Sequence, residues 1–218
     1  MREKLRIAVD GPGGAGKSTI AKLIAGDLGI DYVDTGAMYR AVACKMKENG
    51  IGVDDIEKIG QMLKDTEIDF SRGQVLLDGK NVNSLIRTPE ISKLASDCSA
   101  IAAVREKLVK LQREMGMRKS VIMDGRDIGT NVLTEAEFKF YMTASIEERA
   151  KRRFEELSAK GQEAPFAEVL SDMAERDHND MTRKLNPLTK ADDAIELDTT
   201  YMTIEQVREY ILNAIRGE

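Results

Sequence analysis

The amino-acid sequence predicts an α/β fold in which helices cover both faces of a central parallel sheet. Apolar runs typical of strands alternate with helical patterns along the chain. The strand-like runs lie at 5–9, 120–124, 137–142 and 194–198, and the helical patterns at 17–28, 36–49, 100–117, 145–160, 166–184 and 203–216. Ligands of such sheets bind at the carboxyl ends of the strands, so the segments that follow strands are the candidates for function.

A loop of the phosphate-binding type follows the first predicted strand. Residues 11–18 read Gly-Pro-Gly-Gly-Ala-Gly-Lys-Ser, a complete G-x-x-x-x-G-K-[ST] pattern. Between a strand and a helix, such a loop directs backbone N–H groups and the helix dipole at one point. A turn that merely packs closely would need neither the lysine nor the hydroxyl. We therefore predict an exposed nucleoside-triphosphate site in which Lys17 reaches the terminal phosphates and Ser18 binds Mg²⁺, with Gly11, Gly13, Gly14, Ala15, Gly16 and Thr19 completing the loop.

A second anion site is predicted where the short strand Tyr32-Val33 enters a helix. The segment reads Asp34-Thr-Gly-Ala-Met-Tyr-Arg40, so the hydroxyl of Thr35 and the guanidinium of Arg40 lie beside a helix N-terminus. The alternative is an ordinary helix cap followed by an exposed arginine.

The alternation of strands and helices is interrupted at residues 65–85 by short strand-like pieces. These pieces are separated by the turn dipeptides Arg72-Gly73 and Asp78-Gly79. We interpret the segment as a small antiparallel insertion.

The run Val121-Ile-Met-Asp-Gly-Arg-Asp-Ile-Gly-Thr130 is an apolar strand that ends in charged residues. A carboxylate at a strand end near a phosphate loop can hold Mg²⁺ or its water shell, which makes Asp124 a metal candidate. The alternative is that Asp124 caps the loop. Arg126 and Asp127 follow at the ligand edge and are predicted to contact substrate, although they could instead form a surface pair.

Two later helices begin with capping boxes, Ser145-x-x-Glu148 and Thr203-x-x-Gln206. Between them, Arg176, Asp180 and Arg183 have the spacing i, i+4 and i+7, which places all three on one helix face. A solvated charged face is the usual meaning of such a run, and the composition alone does not exclude it.

The size and charge of the chain limit its partners. With 218 residues and 42% hydrophobic content, one domain over 1–218 is expected. The net charge is −5 and the 33 basic residues alternate with acidic ones, which argues against a nucleic-acid partner. There is no 18-residue apolar stretch, so no membrane contact is expected.

Cys44 and Cys98 are far apart and without metal spacing, so buried free thiols and a cytoplasmic location are expected.

Taken together, these motifs resemble those of the bacterial cytidylate kinases, a family of the nucleoside-monophosphate kinase group. The likeness extends along nearly the whole chain. It rests on Gly11–Thr19, Asp34–Arg40, Ile86-Arg-Thr88, Ala95-Ser96 with Val104-Arg105, Asp124–Thr130, Glu147-Glu-Arg-Ala-x-Arg-Arg153, and Glu175–Asp180 with Arg183. Thr35 departs from the serine expected in the family, but the hydroxyl is kept. The family has a P-loop three-layer fold with a small insertion in its monophosphate-binding part, where residues 65–85 fall.

The resemblance implies transfer of the γ-phosphoryl group of ATP to CMP and dCMP. The phosphate loop predicts Mg²⁺ as the cofactor, and because nothing in the sequence argues strongly for an oligomer, we expect a monomer. The resemblance also implies that Asp127 and Ser96 accept from the cytosine N4 amino group and that Arg105 donates to N3 and O2. Arg40 and Arg126 would hold the acceptor phosphate, with Lys17 as the third catalytic residue. The remaining assignments are Thr35, Arg176, Asp180 and Arg183 to the CMP site, and Arg149 and Arg153 to a lid over ATP at about 149–165.

Two other functional classes remain as alternatives. A kinase for another small acceptor, such as a different monophosphate or a shikimate-like hydroxyl compound, would keep the phosphate loop and change the acceptor site. A GTPase-like switch finds one loose match in Thr189-Lys-Ala-Asp192, which resembles a guanine-reading pattern. That segment follows Asn186-Pro187-Leu188 and not an apolar strand, which disfavours this alternative.

Overall fold

The computed structural model describes residues 4–71, 74–159, 161–162 and 164–217. Its elements in chain order are β1 (Arg6–Asp10), α1 (Lys17–Leu28), β2 (Asp31–Asp34), α2 (Thr35–Glu48), α3 (Ile56–Lys64), β3 (Ile68–Ser71), β4 (Gln74–Leu77), β5 (Lys80–Asn81), α4 (Pro89–Cys98), α5 (Ala102–Arg118), β6 (Val121–Gly125), a π-helical turn (Ile128–Val132), β7 (Phe138–Thr143), α6 (Ile146–Ala159), α7 (Phe166–Thr182), β8 (Ile195–Asp198) and α8 (Ile204–Arg216). Tertiary contacts divide the chain into two compact units, Met1–Tyr32 with Lys119–Glu218, and Val33–Arg118. The predictions of one domain and of a lid stay predictions, and residues 160 and 163 of the predicted lid lie outside the described residues.

A five-stranded sheet with the order β2, β6, β1, β7, β8 is the centre of the first unit in the described part of the chain. The pairs of β1 with β6 and β7, and of β7 with β8, are parallel, which confirms the predicted parallel sheet. The register sets Asp10 beside both Gly125 and Tyr141. The carboxyl end of the central strand β1 therefore lies next to the carboxyl ends of β6 and β7, where the candidate motifs begin.

The core of the first unit is formed by the sheet together with α1 and α8. Ile7, Val9 and Phe140 of the strands are almost completely buried. Each helix contributes apolar side chains at positions i and i+4, a spacing that places them on one face; these are Ile20 and Ile24 on α1, and Val207 and Ile211 on α8. β1 is therefore packed within this core, and the phosphate loop begins directly after its last residue, Asp10.

The second unit contains α2 to α5 and an antiparallel sheet of β3, β4 and β5. Antiparallel pairing of β3 with β4 and of β4 with β5 confirms the predicted insertion. Asp78 and Gly79 both have positive φ, 50° and 77°, which suits the two central positions of a tight hairpin turn. The other predicted turn, Arg72-Gly73, lies outside the described residues.

Several predicted boundaries differ from the observed ones. The helices α3 and α4 were not predicted, although α4 has a clear start signal in Thr88-Pro89, where the Thr88 hydroxyl accepts from the amide of Ile91. The helix predicted to residue 184 ends at Thr182. The Thr203 capping box is complete. The Ser145 capping box is half formed. The hydroxyl of Ser145 accepts from the amide of Glu148, but the carboxylate of Glu148 accepts from Arg152.

Cys44 and Cys98 are both buried free thiols, as predicted. Among the residues that the structure describes, no helix has the length and apolar character needed to cross a membrane. The cytoplasmic location stays a prediction.

Candidate active site

The phosphate loop occupies the turn between β1 and α1. Gly11 has a φ of +144°, and a Cβ placed on it would lie 1.9 Å from the carbonyl oxygen of Met142, so only glycine fits there. Gly16 has a φ of +87° and precedes the first residue of α1. Because glycine has no side chain that could accept from the first amides of the helix, those amides are left for an anionic ligand.

Lys17 is only 5% exposed, although the phosphate loop that carries it was predicted to be exposed. Its Nζ donates to the carbonyl oxygen of Pro12 at 2.7 Å, which folds the side chain back over the loop. Burial lowers the pKa of Lys17, and the positive charge of Arg126 lowers it further. A phosphate group would supply the negative charge that stabilises the ammonium form here.

The two predicted metal ligands are in direct contact. Ser18 donates to Oδ2 of Asp124 at 2.8 Å, and the hydroxyl of Tyr32 donates to Oδ1 at the same distance. Asp124 is 5% exposed at the end of β6, one strand away from the phosphate loop. Tyr32 was not predicted to take part, because nothing in the sequence marks a strand tyrosine as a partner of this carboxylate.

Arg126 forms an ion pair with Asp180 of α7, with its Nε 2.7 Å from Oδ2. Burial alone would raise the pKa of Asp180. The charge and hydrogen bond of Arg126, together with the charges of Arg176 and Arg183, have the larger effect and hold this pKa below its ordinary value. Asp180 is therefore a buried carboxylate among arginines and not part of a solvated charged face.

Asp127 contacts Arg183, whose Nη2 lies 3.1 Å from Oδ1. Asn131 donates to the other oxygen at 3.0 Å. Arg183 is not on the helix: it follows Thr182, the last residue of α7, in an extended conformation with ψ 142°. The predicted single helix face therefore holds for Arg176 and Asp180, and Arg183 reaches the same cluster from the residue after the helix.

The two predicted lid arginines have different environments. Arg149 is buried, and its Nη1 donates to Asp177 at 2.6 Å and to the carbonyl oxygen of Gly13 at 3.1 Å. Arg153 is half-buried, with its Nη1 3.1 Å from Glu156. Arg149 thus contacts the backbone of the phosphate loop directly, and its assignment to a lid stays a prediction.

In the second unit, Asp34 organises the start of α2. Its Oδ1 accepts from the amide of Ala37 at 2.8 Å, and its Oδ2 accepts from Nη2 of Arg40 at 2.9 Å. Thr35, the first residue of the helix, is buried. The Nε of Arg40 is buried with no hydrogen-bond partner within the protein. A buried donor without a partner is costly, so this arginine is suited to an anionic ligand.

The two base-binding candidates of the second unit lie on consecutive helices. Arg105 of α5 is 3% exposed, and its Nη1 donates to the carbonyl oxygen of Ser99 at 3.3 Å. The guanidinium also lies over the ring of Tyr39 at 5.8 Å. Ser96 is half-buried on α4, one turn before the carbonyl that Arg105 contacts.

Three buried carboxylates at these sites were missed by the sequence reasoning: Asp10, Asp34 and Asp177. Asp10 could have been found, because it ends a strand beside a phosphate loop just as Asp124 does. Asp177 lies inside a motif that was recognised, but its contact with Arg149 joins residues 28 positions apart. A tertiary contact of this kind has no signal in the sequence.

The family of the chain follows from comparison with known proteins. A family model described as cytidylate kinase matches residues 7–217. The chain belongs to the cytidylate kinase family. Membership of the cytidylate kinase family confirms the predicted resemblance and the predicted class of enzyme, a kinase.

Curated members of the cytidylate kinase family match the chain over nearly their full length. The cytidylate kinase of Caldicellulosiruptor bescii is 51% identical over 214 residues, which cover 96% of this chain and 95% of the relative. The cytidylate kinase of Clostridium perfringens is 49% identical over 211 residues and 97% of each chain.

Two solved structures are similar in fold. A gluconokinase from Sinorhizobium meliloti has a TM-score of 0.53 and 13% identity, covering 100% of this chain and 94% of that one. A shikimate kinase from Bacteroides thetaiotaomicron has a TM-score of 0.51 and 13% identity, covering 97% and 98%. At this identity the likeness concerns the fold alone, and it agrees with the predicted P-loop three-layer class.

Proposed function

We propose that this chain transfers the γ-phosphoryl group of ATP to CMP and dCMP, giving CDP or dCDP and ADP. The observation that carries the proposal is that one unit contains both a phosphate loop with Lys17 and, directly after the adjacent strand β6, the arginine and carboxylate Arg126 and Asp127. Family membership over residues 7–217 supports the choice of cytidylate as acceptor.

The donor side of the reaction is assigned to the loop and its neighbours. The backbone from Gly11 to Thr19 would bind the ATP phosphates, and Lys17 would release the Pro12 carbonyl to bind the terminal ones. Arg149, already bonded to the loop backbone, and Arg153 would bind ATP from α6.

Ser18 and Asp124 have the right donor atoms for Mg²⁺. Both offer oxygen, the element that this cation prefers, and they lie 2.8 Å apart. When bound, Mg²⁺ neutralises charge on the phosphates; Ser18 would coordinate it directly and Asp124 through water.

The acceptor phosphate is assigned to Arg40 and Arg126. Cytosine is assigned to Asp127 and Ser96, which accept from N4, and to Arg105, which donates to N3 and O2. Thr35, Arg176, Asp180 and Arg183 complete the proposed CMP site. Arg126 enters this site already oriented by its 2.7 Å pair with Asp180, which lowers the entropy lost on binding.

The chemistry requires no general base. The attacking oxygen belongs to a phosphate whose second pKa is about 6, so it is ionised at neutral pH. The main barrier is the approach of two polyanions, and the arginines and Lys17 lower it by neutralising charge and aligning the reactants. We further propose a monomeric, cytoplasmic enzyme with a lid that excludes water during transfer.

A coupled assay with ATP, Mg²⁺ and a panel of acceptors tests the proposal. The panel contains CMP, dCMP, UMP, AMP, GMP and shikimate. We expect CMP and dCMP to have the highest kcat/KM. A preference for another monophosphate or for the hydroxyl compound would instead select the alternative of a kinase with a different acceptor.

Replacing Asp124 with asparagine tests the metal assignment. We expect the Mg²⁺ concentration for half-maximal rate to rise about 10- to 100-fold, the effect typical of losing an outer-shell metal partner. The measurement is the rate as a function of free Mg²⁺ at saturating ATP and CMP. Tyr32→Phe, which removes only the hydroxyl bonded to Oδ1, is the matched control and should have a smaller effect. An unchanged Mg²⁺ dependence in Asp124→Asn would mean that this carboxylate only caps the loop.

A further inference from the structure

Asp10 is a buried carboxylate to which the proposed mechanism gives no role. It is the last residue of β1, directly before Gly11 of the phosphate loop, and it is 5% exposed. Its Oδ1 accepts from the amide of Ile128 and its Oδ2 from the amide of Gly129, both at 2.7 Å. Both oxygens of this carboxylate therefore accept hydrogen bonds from the backbone that directly follows Asp127.

The two amides that donate hydrogen bonds to Asp10 are the first two of the π-helical turn Ile128–Val132. At the start of a helix these donors are ordinarily accepted by the side chain of the N-cap residue itself. The N-cap here is Asp127, and its side chain makes no cap hydrogen bond. Asp10 of β1 takes the place of the N-cap side chain by accepting from these amides. The oxygens of Asp127 accept instead from Arg183 and Asn131.

The packing around Gly129 leaves little freedom in this arrangement. A Cβ on Gly129 would lie 3.4 Å from Oδ2 of Asp10 and 3.1 Å from Cδ of Lys139. Gly129 therefore lies against both the carboxylate of Asp10 and the stem of Lys139. Burial raises the pKa of Asp10 to about 6, although both amides favour the charged form. A carboxylate held in such a site at a cost to stability is characteristic of a functional position.

We infer that Asp10 is a positioning residue, which holds Arg126 and Asp127 in register with the phosphate loop so that donor and acceptor phosphates align. The inference rests on the proposed function, because it assumes that Arg126 and Asp127 bind CMP. Asp10 touches neither substrate in this scheme; it acts through the backbone at Ile128 and Gly129.

The test is Asp10→Asn, which keeps the shape but replaces one acceptor oxygen with a donor amide that faces an N–H group. We expect KM for CMP to rise about tenfold while KM for ATP changes less than about twofold, and the ratio of kcat/KM for CMP over UMP to fall. Asp27→Asn is the matched control, because it removes an ion pair with Arg208 elsewhere in the same unit. The control should leave all three quantities unchanged.

A second variant and a physical measurement separate the possible failures. Gly129→Ala places a methyl group against both Lys139 and Oδ2 of Asp10 in the same turn, and a rise of about threefold in KM for CMP is expected. Amide hydrogen exchange at Ile128 and Gly129 should accelerate in folded Asp10→Asn, whatever the substrate of the enzyme. If the parent does not phosphorylate CMP, the proposed function fails, and the exchange result still tests the role of Asp10. If the parent does, an equal change in both KM values, or none, overturns the inference.

Discussion

Replacing Lys17 with alanine is expected to abolish measurable phosphoryl transfer, with kcat falling at least about 1,000-fold. Lys17 is the one residue of Gly11–Thr19 with a positively charged side chain, and this ammonium group is assigned to the terminal phosphates. The fold should survive, because the hydrogen bond that is lost joins the side chain to Pro12 within the same loop. The measurement is the coupled assay at saturating ATP and CMP.

Lys58→Ala provides the matched control for this variant. Lys58 is an exposed lysine of α3 that forms a 3.5 Å ion pair with Asp55. It should retain parental kcat, and circular dichroism should give similar melting curves for the control and for Lys17→Ala. Near-normal turnover in Lys17→Ala would contradict the proposed catalytic role of the phosphate loop.

Replacing Asp127 with asparagine is expected to reduce the preference for CMP over UMP. If Asp127 accepts from the N4 amino group of cytosine, asparagine removes a charge-assisted hydrogen bond worth about 1.5–3 kcal/mol. Uracil has a carbonyl at that position, so UMP should lose little. The ratio of kcat/KM for CMP over UMP should therefore fall about 10- to 100-fold.

Arg183→Ala controls for the contact that the structure gives Asp127. Arg183 lies 3.1 Å from this carboxylate, so Asp127→Asn also weakens that pair. If Asp127 served only to hold Arg183, the two variants would behave alike and CMP and UMP would decline in parallel. A fall of the ratio in Asp127→Asn that Arg183→Ala does not reproduce supports Asp127 as the base-reading residue.

Features encoded by near neighbours could be predicted from the sequence by itself. The phosphate loop, the strands around it and the helix from Lys17 to Leu28 follow from glycine positions and apolar periodicity, which act within a few residues. The hairpin turn at Asp78-Gly79 follows from the same kind of local preference. The assignment of residues to CMP did not come from these patterns but from the resemblance to a family, and it stays a prediction to be tested.

Pairings between distant residues were decided only by the tertiary structure. A surface pair of Arg126 and Asp127 was the alternative to the predicted substrate contact, but the structure pairs Arg126 with Asp180 and Asp127 with Arg183. Asp10 accepts from the amides of Ile128 and Gly129, which are 118 and 119 residues away in the sequence. The physical reason is that strand register sets which side chains meet. The register of β1 against β6 results from packing of the whole core, and no local pattern around Asp10 encodes it.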